Sequence, residues 1–568
     1  MRTQRDDRYL TVIASIAVTL FCVIFTMSRY EIYYDMNDDV LIKDILAGVY
    51  TGIPEGLNIQ MLSPLSFLIS LFYRMAPTPD WYAVFLLFTF FVSLFLVTER
   101  VLLMVDGLPA KAVSCLAVVL SYLAFSASRV VFMQYTVVSG FVMSSAIFLL
   151  CTESNLRRPG ALIKTGFMCG LAFALRSEMA LFLLPILLLG VLFNRIMRGE
   201  GSIKKYLSDT GLIAAFVAVI FFLLFSLDAL SYSGKDWREF RAFFRARTEL
   251  YDYQQIPSWK SAQDMYGELG LDSADVEVLK NYNFGIDDRI TTDVMSGVSE
   301  YAASLKPGFA ARLKETFYVY FRQVLPGAEY RNSTFTVLVL YAAVIYGFIA
   351  DRRYLRLLMC PALFVIRSAL WLYLIYVNRY PERVTFSLFL AEAFVLLAIA
   401  LTILKNQKRD KRFTFLVYSV VCLLSLFLMV PVSDSAIRKE MLERTYDNSG
   451  DDAINDYCEA HPDVFYFEDV YSTVNFSERM PGDTLGRCPM NCAIMGGWAC
   501  KSPLWDRKLK GFGIEDPFEA LLSGKAQFIC RLDRDVDWLS DFCASRGYRV
   551  NVRRIAGIMG TYGVYRIE

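Results

Sequence analysis

Apolar stretches near the length of a membrane span recur from Tyr9 to Val432, and short polar clusters separate them. A helix needs about 20 apolar residues to cross roughly 30 Å of hydrocarbon. On that measure the pattern predicts eleven spans, at 9–28, 81–99, 112–130, 134–151, 161–176, 179–196, 209–230, 334–350, 355–377, 384–404 and 413–432. The first follows Arg2, Arg5 and Arg8 as a signal peptide would. Its apolar run is long, however, and Ser28-Arg29-Tyr30-Glu31 has no small-x-small cleavage site, so it reads as a retained span. The segment Leu62–Ala76 reaches only about 22 Å at ~1.5 Å per residue, too short to cross. Its polar members Ser63, Ser66, Ser70, Tyr73 and Arg74 fall on one helical stripe, which predicts a helix lying in the membrane interface.

Basic residues alternate with the spans. With the N-terminus inside, the inner segments hold Arg2 to Arg8, Arg100 and Lys111, Arg157 to Lys164, Arg195 to Lys205, Arg352 to Arg356, and Lys405 to Arg412. The outer turns near 130, 177 and 380 hold fewer, as the positive-inside bias requires. The expected architecture is therefore mainly α, a polytopic membrane bundle over 1–432 with outer loops at 29–80 and 231–332. An extracytoplasmic α/β domain follows over 433–568. In that last segment DDAINDYCEA precedes DVFYFEDV, DPFEALLSG precedes AQFICRL, and VDWLSDFCASRG precedes YRVNVRRI, a helix-then-strand alternation that predicts a largely parallel sheet.

Composition narrows the function classes. Hydrophobic residues fill 55% of 568 positions, and mean hydropathy is +0.39. The net charge is +1 with no pooled basic patch, which argues against a nucleic-acid partner. Cys458, Cys488, Cys492, Cys500, Cys530 and Cys543 all lie after 433; in an exported domain six cysteines permit three disulfides. Zinc at Cys488, Cys492 and Cys500 is the rival reading. His461 is the only histidine, so a mixed Cys/His metal site or a histidine triad is hard to build.

Candidate chemistry collects in the outer segments. Asp38 and Asp39 follow the first span in DMNDD, with Asn37 or Asp38 placed to cap the helix that VLIKDILAGVY predicts. As helix-start carboxylates they need no further role. A carboxylate at the membrane surface could instead deprotonate an acceptor hydroxyl, and two adjacent ones could share a divalent cation such as magnesium or manganese. Arg176 and Glu178 form an outer turn in an otherwise apolar run, where an arginine can bind phosphate and a glutamate balance it. Arg379 and Arg383 flank Tyr380-Pro381-Glu382 in another such turn, open to the same use or to simple solvation; Arg129 with Gln134 is a weaker member of the set. In the 231–332 loop, KDWREFRAFFRARTELYDYQQ reads as a charged helix with aromatic faces.

DMNDD, LSPLSFLISLFYRMAPTPDW and ALRSEMALFLLP, in that order after a basic N-terminus and one span, resemble the GT-C superfamily of polytopic glycosyltransferases. The resemblance covers the architecture of 1–430. It implies transfer of sugar from a polyprenyl-phosphate donor to a glycan or lipid acceptor on the extracytoplasmic face; with no organelle retention signal in the chain, the expected membrane is a bacterial plasma membrane. By the same likeness Asp38 or Asp39, with Asp38 preferred, is the base, and Arg176, Arg379 and Arg383 hold the donor phosphate. An O-antigen-type polymerase or ligase, a lipid-linked saccharide transporter and a membrane scaffold are the alternatives.

Overall fold

The computed structural model describes residues 4–199, 202–325, 331–406, 412–480 and 490–568; Arg2, Lys408, Arg409, Lys411 and Cys488 lie outside them. The chain is mainly helical. The first outer segment carries α1 (Gln4–Arg29) into α2 (Asn37–Ala47) and α3 (Ser63–Met75). Then come α4 (Trp81–Met104), α5 (Leu108–Val131), α6 (Tyr135–Thr152), α7 (Pro159–Leu175), α8 (Ser177–Arg198) and α9 (Ile203–Ser231). After α10 (Lys235–Tyr253) and several short helices follow α11 (Arg331–Ala350), α12 (Tyr354–Tyr376), α13 (Glu382–Asn406) and α14 (Arg412–Ala460).

Among the described residues nine helices are long and apolar enough to cross a membrane: α1, α4, α5, α6, α8, α9, α11, α12 and α13. The expected span at 161–176 is α7, a shorter apolar helix. The expected span at 413–432 is the start of α14, a 49-residue helix that continues through 432 without a break. Local sequence sets these limits. Prolines at the first turns of α5 and α7 cost no hydrogen bond there, and Gly199 closes α8 in the left-handed conformation at φ 67°.

α6 is the axis of the bundle, and all its residues are buried. Its small residues allow close neighbours: a Cβ at Gly140 would stand 2.0 Å from Ser387 Oγ of α13. Charge inside the bundle is paired. Arg367 Nε of α12 lies 3.0 Å from Glu392 Oε2 of α13, Tyr341 donates to Glu392 at 2.8 Å, and Arg367 donates to Tyr320 at 3.1 Å. The remaining ion pairs sort to the two ends. Lys111–Asp7 (2.8 Å), Arg100–Glu153 (2.8 Å) and Arg195–Asp209 (2.8 Å) join the segments expected inside. Arg29–Asp434 (3.3 Å), Arg176–Glu178 (3.1 Å) and Arg129–Glu382 join those expected outside.

α3 corrects one orientation. Its serines Ser63, Ser66 and Ser70 and Tyr73 are buried against protein, while Phe67, Leu68, Leu71, Phe72 and Met75 point outward. The polar stripe faces the fold because Tyr73 and its neighbours have partners there: Tyr73 donates to Asp80 at 2.9 Å, and Asn58 to Ser66 at 3.1 Å. The apolar face is the one left for lipid.

Two sheets complete the end of the bundle that carries α2. A three-stranded sheet, ordered β2-β1-β4, joins β1 (Ile32–Tyr34), β2 (Phe132–Met133) and β4 (Arg479–Met480), that is, the first outer loop, the turn before α6 and the C-terminal segment. The five-stranded sheet has the order β5-β3-β6-β8-β7, with β3 (Phe465–Glu468), β5 (Cys492–Ile494), β6 (Ala526–Arg531), β7 (Val552–Ile558) and β8 (Tyr562–Ile567). It is parallel only over β5-β3-β6; β8 and β7 add an antiparallel hairpin. The third helix–strand unit therefore does not extend the parallel sheet as expected. Met559 (φ 51°) and Gly560 (φ 67°) turn β7 straight back, a primed turn that suits the strand twist. Among the described residues none of the expected disulfides forms: Cys458, Cys500, Cys530 and Cys543 are buried free thiols, packed as small apolar residues, and Cys492 is buried beside Cys458.

Side chains lock the C-terminal segment to the first outer loop. Arg444 of α14 pairs with Asp35 at 2.6 Å and lies over the Phe132 ring. Lys43 of α2 pairs with Glu478 and, at 3.0 Å, with Asp44. One ammonium serves two buried carboxylates, and burial pushes Glu478 up from 4.5 to about 7. The folded state thus keeps a proton that the unfolded chain releases, so this contribution is full below 4.5 and fades as pH rises through about 7. Thermal unfolding of the purified protein should show a midpoint that falls across this window, and Glu478→Gln should flatten the fall. An equal slope in the variant would refute the assignment.

Candidate functional site

α2 begins at Asn37, with Met36 as its N-cap and no side-chain cap, so neither Asn37 nor Asp38 caps it as expected. Both aspartates sit in the first turn, where the helix dipole favours a carboxylate. Their surroundings differ. Asp39 is fully buried: Oδ1 accepts from the Tyr82 hydroxyl at 2.9 Å and from the Tyr135 backbone N–H at 3.0 Å, and Oδ2 has no partner. Burial pushes its carboxyl well above the usual range. Asp39 therefore acts as a brace between α2, α4 and the N-terminus of α6.

Asp38 is half-buried, and among the described residues no hydrogen bond or ion pair holds its carboxylate. It lies within electrostatic reach of Arg176 and of Arg247. Arg176, between α7 and α8, donates through Nη1 to Gln60 at 2.7 Å and to Tyr135 at 2.8 Å, and its Nε faces Glu178 at 3.1 Å. Arg379 pairs with Asp252 and lies 5.4 Å from the Tyr253 ring. Arg383 donates at 2.9 Å to the Met36 thioether, a weak acceptor, beside the start of α2. The fold thus brings Asp38, Arg176, Glu178, Arg379 and Arg383 to one end of the bundle, from three separate stretches of chain.

Arg247 was not singled out by the sequence. It lies on α10 in register with Phe240, Phe243 and Leu250, all buried on one stripe; a lone cation on such a stripe was the available signal. Its guanidinium is 5.2 Å from the Tyr282 ring and 5.9 Å from the Phe244 ring. No carboxylate forms an ion pair with it among the described residues, and Nε lacks any acceptor. Burial pulls its pKa down, and the charges of Asp252 and Asp38, which act the other way across space, do not outweigh it. A buried, uncompensated guanidinium costs several kcal/mol unless an anion joins it.

Among the described residues no group of three or more His, Cys, Asp or Glu is placed to hold a metal ion. Asp38 and Asp39 do not face a shared point, since Asp39 turns to Tyr82 and Tyr135. Cys492 packs with Cys458 and Tyr466, whereas Cys500 lies against Gly285. His461 Nδ1 stands 2.8 Å from the Tyr457 carbonyl oxygen at the end of α14.

No protein-family model, no curated protein and no solved structure matches the chain.

The two aspartates should separate in mutagenesis. Asp39→Ala strips the acceptor from a buried hydroxyl and a buried N–H, a loss of about 1–3 kcal/mol for each orphaned group. Asp38→Ala, with no bond to break, should fall within about 0.5 kcal/mol of wild type. Thermal unfolding in detergent measures both; equal destabilisation would overturn the division of roles.

Proposed function

We propose that the chain is a membrane glycosyltransferase that takes a sugar from a polyprenyl-phosphate carrier, with Asp38 as base and the arginine cluster as the phosphate site. The observation that carries this reading is a half-buried Asp38 carboxylate close to the buried Arg247, neither of which forms an ion pair among the described residues. A base and an unsatisfied cation at the outer end of an apolar bundle suit a substrate with an acidic headgroup and an apolar tail. The likeness to GT-C enzymes in DMNDD and ALRSEMALFLLP supports the same assignment.

The proposed reaction needs two transfers. Asp38 accepts the proton from an acceptor hydroxyl as its oxygen bonds to the anomeric carbon. The bond from that carbon to the phosphate oxygen breaks, and the phosphate leaves with the electron pair. Arg247 and Arg176 face the charge that grows on it, with Arg379 and Arg383 at the rim. Glu178 and Asp252 keep Arg176 and Arg379 oriented through their ion pairs. A polymerase or ligase using a lipid-linked saccharide would employ the same charges and differ in its acceptor. In this reading the arginine end of the bundle and residues 433–568 face the outside of a bacterial plasma membrane.

Binding and chemistry should come apart. In nanodiscs, Arg247→Ala should weaken binding of polyprenyl phosphate roughly 10- to 100-fold, the worth of one charged hydrogen bond. Asp38→Asn should bind the lipid normally yet lower sugar release from the loaded carrier about 10²- to 10⁴-fold. Unchanged binding in Arg247→Ala rejects the phosphate site. Sidedness has its own check: single cysteines placed at Asn37 and at Glu443 should react with an impermeant maleimide added to whole cells, and one at Lys204 should not. The reverse pattern rejects the orientation.

A further inference from the structure

A second site lies on the other face of α2. A cavity of about 940 Å³ separates the first outer loop from the C-terminal segment. Asn37, Val40, Leu41 and Asp44, spaced at three and four residues along α2, form one wall. Asp38 is not among the lining residues, so the cavity is distinct from the arginine cluster. The opposite wall includes Glu468, at the end of β3, and Ile494, at the end of β5. Open α/β sheets take ligands at this carboxyl edge of their parallel strands.

The lining is acidic, and its acids are poorly compensated. Glu31 is paired with Arg479 at 3.2 Å, and Asp44 and Glu478 share Lys43. Asp451 of α14 has no ion pair among the described residues; its one hydrogen bond there is from Asn455 at 3.0 Å. Its nearest charged neighbours include Glu468, Asp452 and Glu478, and repulsion adds to burial in raising its pKa. Glu468 is itself buried and raised by burial, while hydrogen bonds from Cys492 and Thr473 and the charge of Lys508, a buried cation that also lines the cavity, offset part of that rise. Aromatic rings complete the chamber, among them Tyr30, Tyr50, Trp498 and Trp505. The Trp505 indole N–H is buried and lacks an acceptor. Asn448, Ser449 and Ser477 add short polar groups.

We propose that this cavity binds an amino sugar, its ammonium facing Asp451 and Glu468 and its ring stacked on the aromatic wall. An ammonium would compensate two crowded carboxylates and gain from the faces of tryptophan and tyrosine. Hydroxyls would meet the asparagine and serine side chains. The volume suits a ligand of one to three rings. A neutral polyol would gain the stacking and leave the carboxylates uncompensated. The inference does not depend on the transfer reaction, because occupancy is read without turnover.

The test uses the full-length protein in nanodiscs and two probes: a β-linked glucosamine trisaccharide and its fully N-acetylated counterpart. Calorimetric titration should show the free amine binding at least about tenfold tighter, the scale of one desolvated cation–π or charge contact. Asp451→Asn should reduce that preference to about twofold or less at an unchanged unfolding midpoint, and Glu468→Gln provides a second isosteric variant should the first fail to fold. Equal affinity for the two probes, no binding of either at millimolar concentration, or retained preference in both variants would overturn the proposal. Loss of polyprenyl-phosphate binding in Arg247→Ala leaves this measurement untouched, so the two sites fail or stand separately.

Discussion

The half of the molecule that holds α2 and the C-terminal segment depends on β1. Three residues, Ile32–Tyr34, pair on one side with β2 and on the other with β4. A strand this short has little stability alone. Held between two partners, it fixes where α1 ends and where α2 begins, and it places Asp38 opposite the turn that leads into α6. The Arg444–Asp35 pair and the Lys43–Glu478 pair then close the same junction from the C-terminal segment. Without β1, the aspartates, the arginine cluster and the cavity would have no common frame.

Much of this was legible in the chain and some was not, for physical reasons. Apolar runs of span length are read by counting, and they reappear as helices with nearly the expected limits. α3 was harder. Its polar stripe predicted an interfacial helix without saying what the stripe faces, and Ser63, Ser66 and Ser70 turn to protein while the apolar face is exposed. Strand direction is not encoded in helix–strand alternation, and the hairpin of β7 and β8 hinged on the left-handed pair Met559 and Gly560. Asp38, Arg176, Arg379 and Arg383 could be named from their places in outer turns. Arg247 was missed among the several arginines of α10, although its place on the Phe240, Phe243 and Leu250 stripe sets it apart from the solvated ones. The Asp35–Arg444 contact spans 409 residues of sequence, beyond the reach of any local pattern.

The two proposed sites follow one rule with opposite signs. On one side of α2 an arginine is buried without an anion; on the other, aspartate and glutamate are crowded without enough cations. A fold tolerates such imbalance when a ligand regularly supplies the missing charge. Paired groups elsewhere give the contrast: Arg367 and Glu392 are as deeply buried and satisfy one another, and nothing in their geometry calls for a third party.

The uninterrupted α14 has a mechanical meaning. At ~1.5 Å per residue its 49 residues make a rod about 74 Å long. A rod transmits rotation as well as distance. Each residue inserted or deleted between Pro431 and Arg444 would swing everything beyond by about 100°, carrying Arg444 away from Asp35 and β4 away from β1. The length of this helix between Pro431 and Arg444 is therefore phase-locked to the loop that holds Asp35.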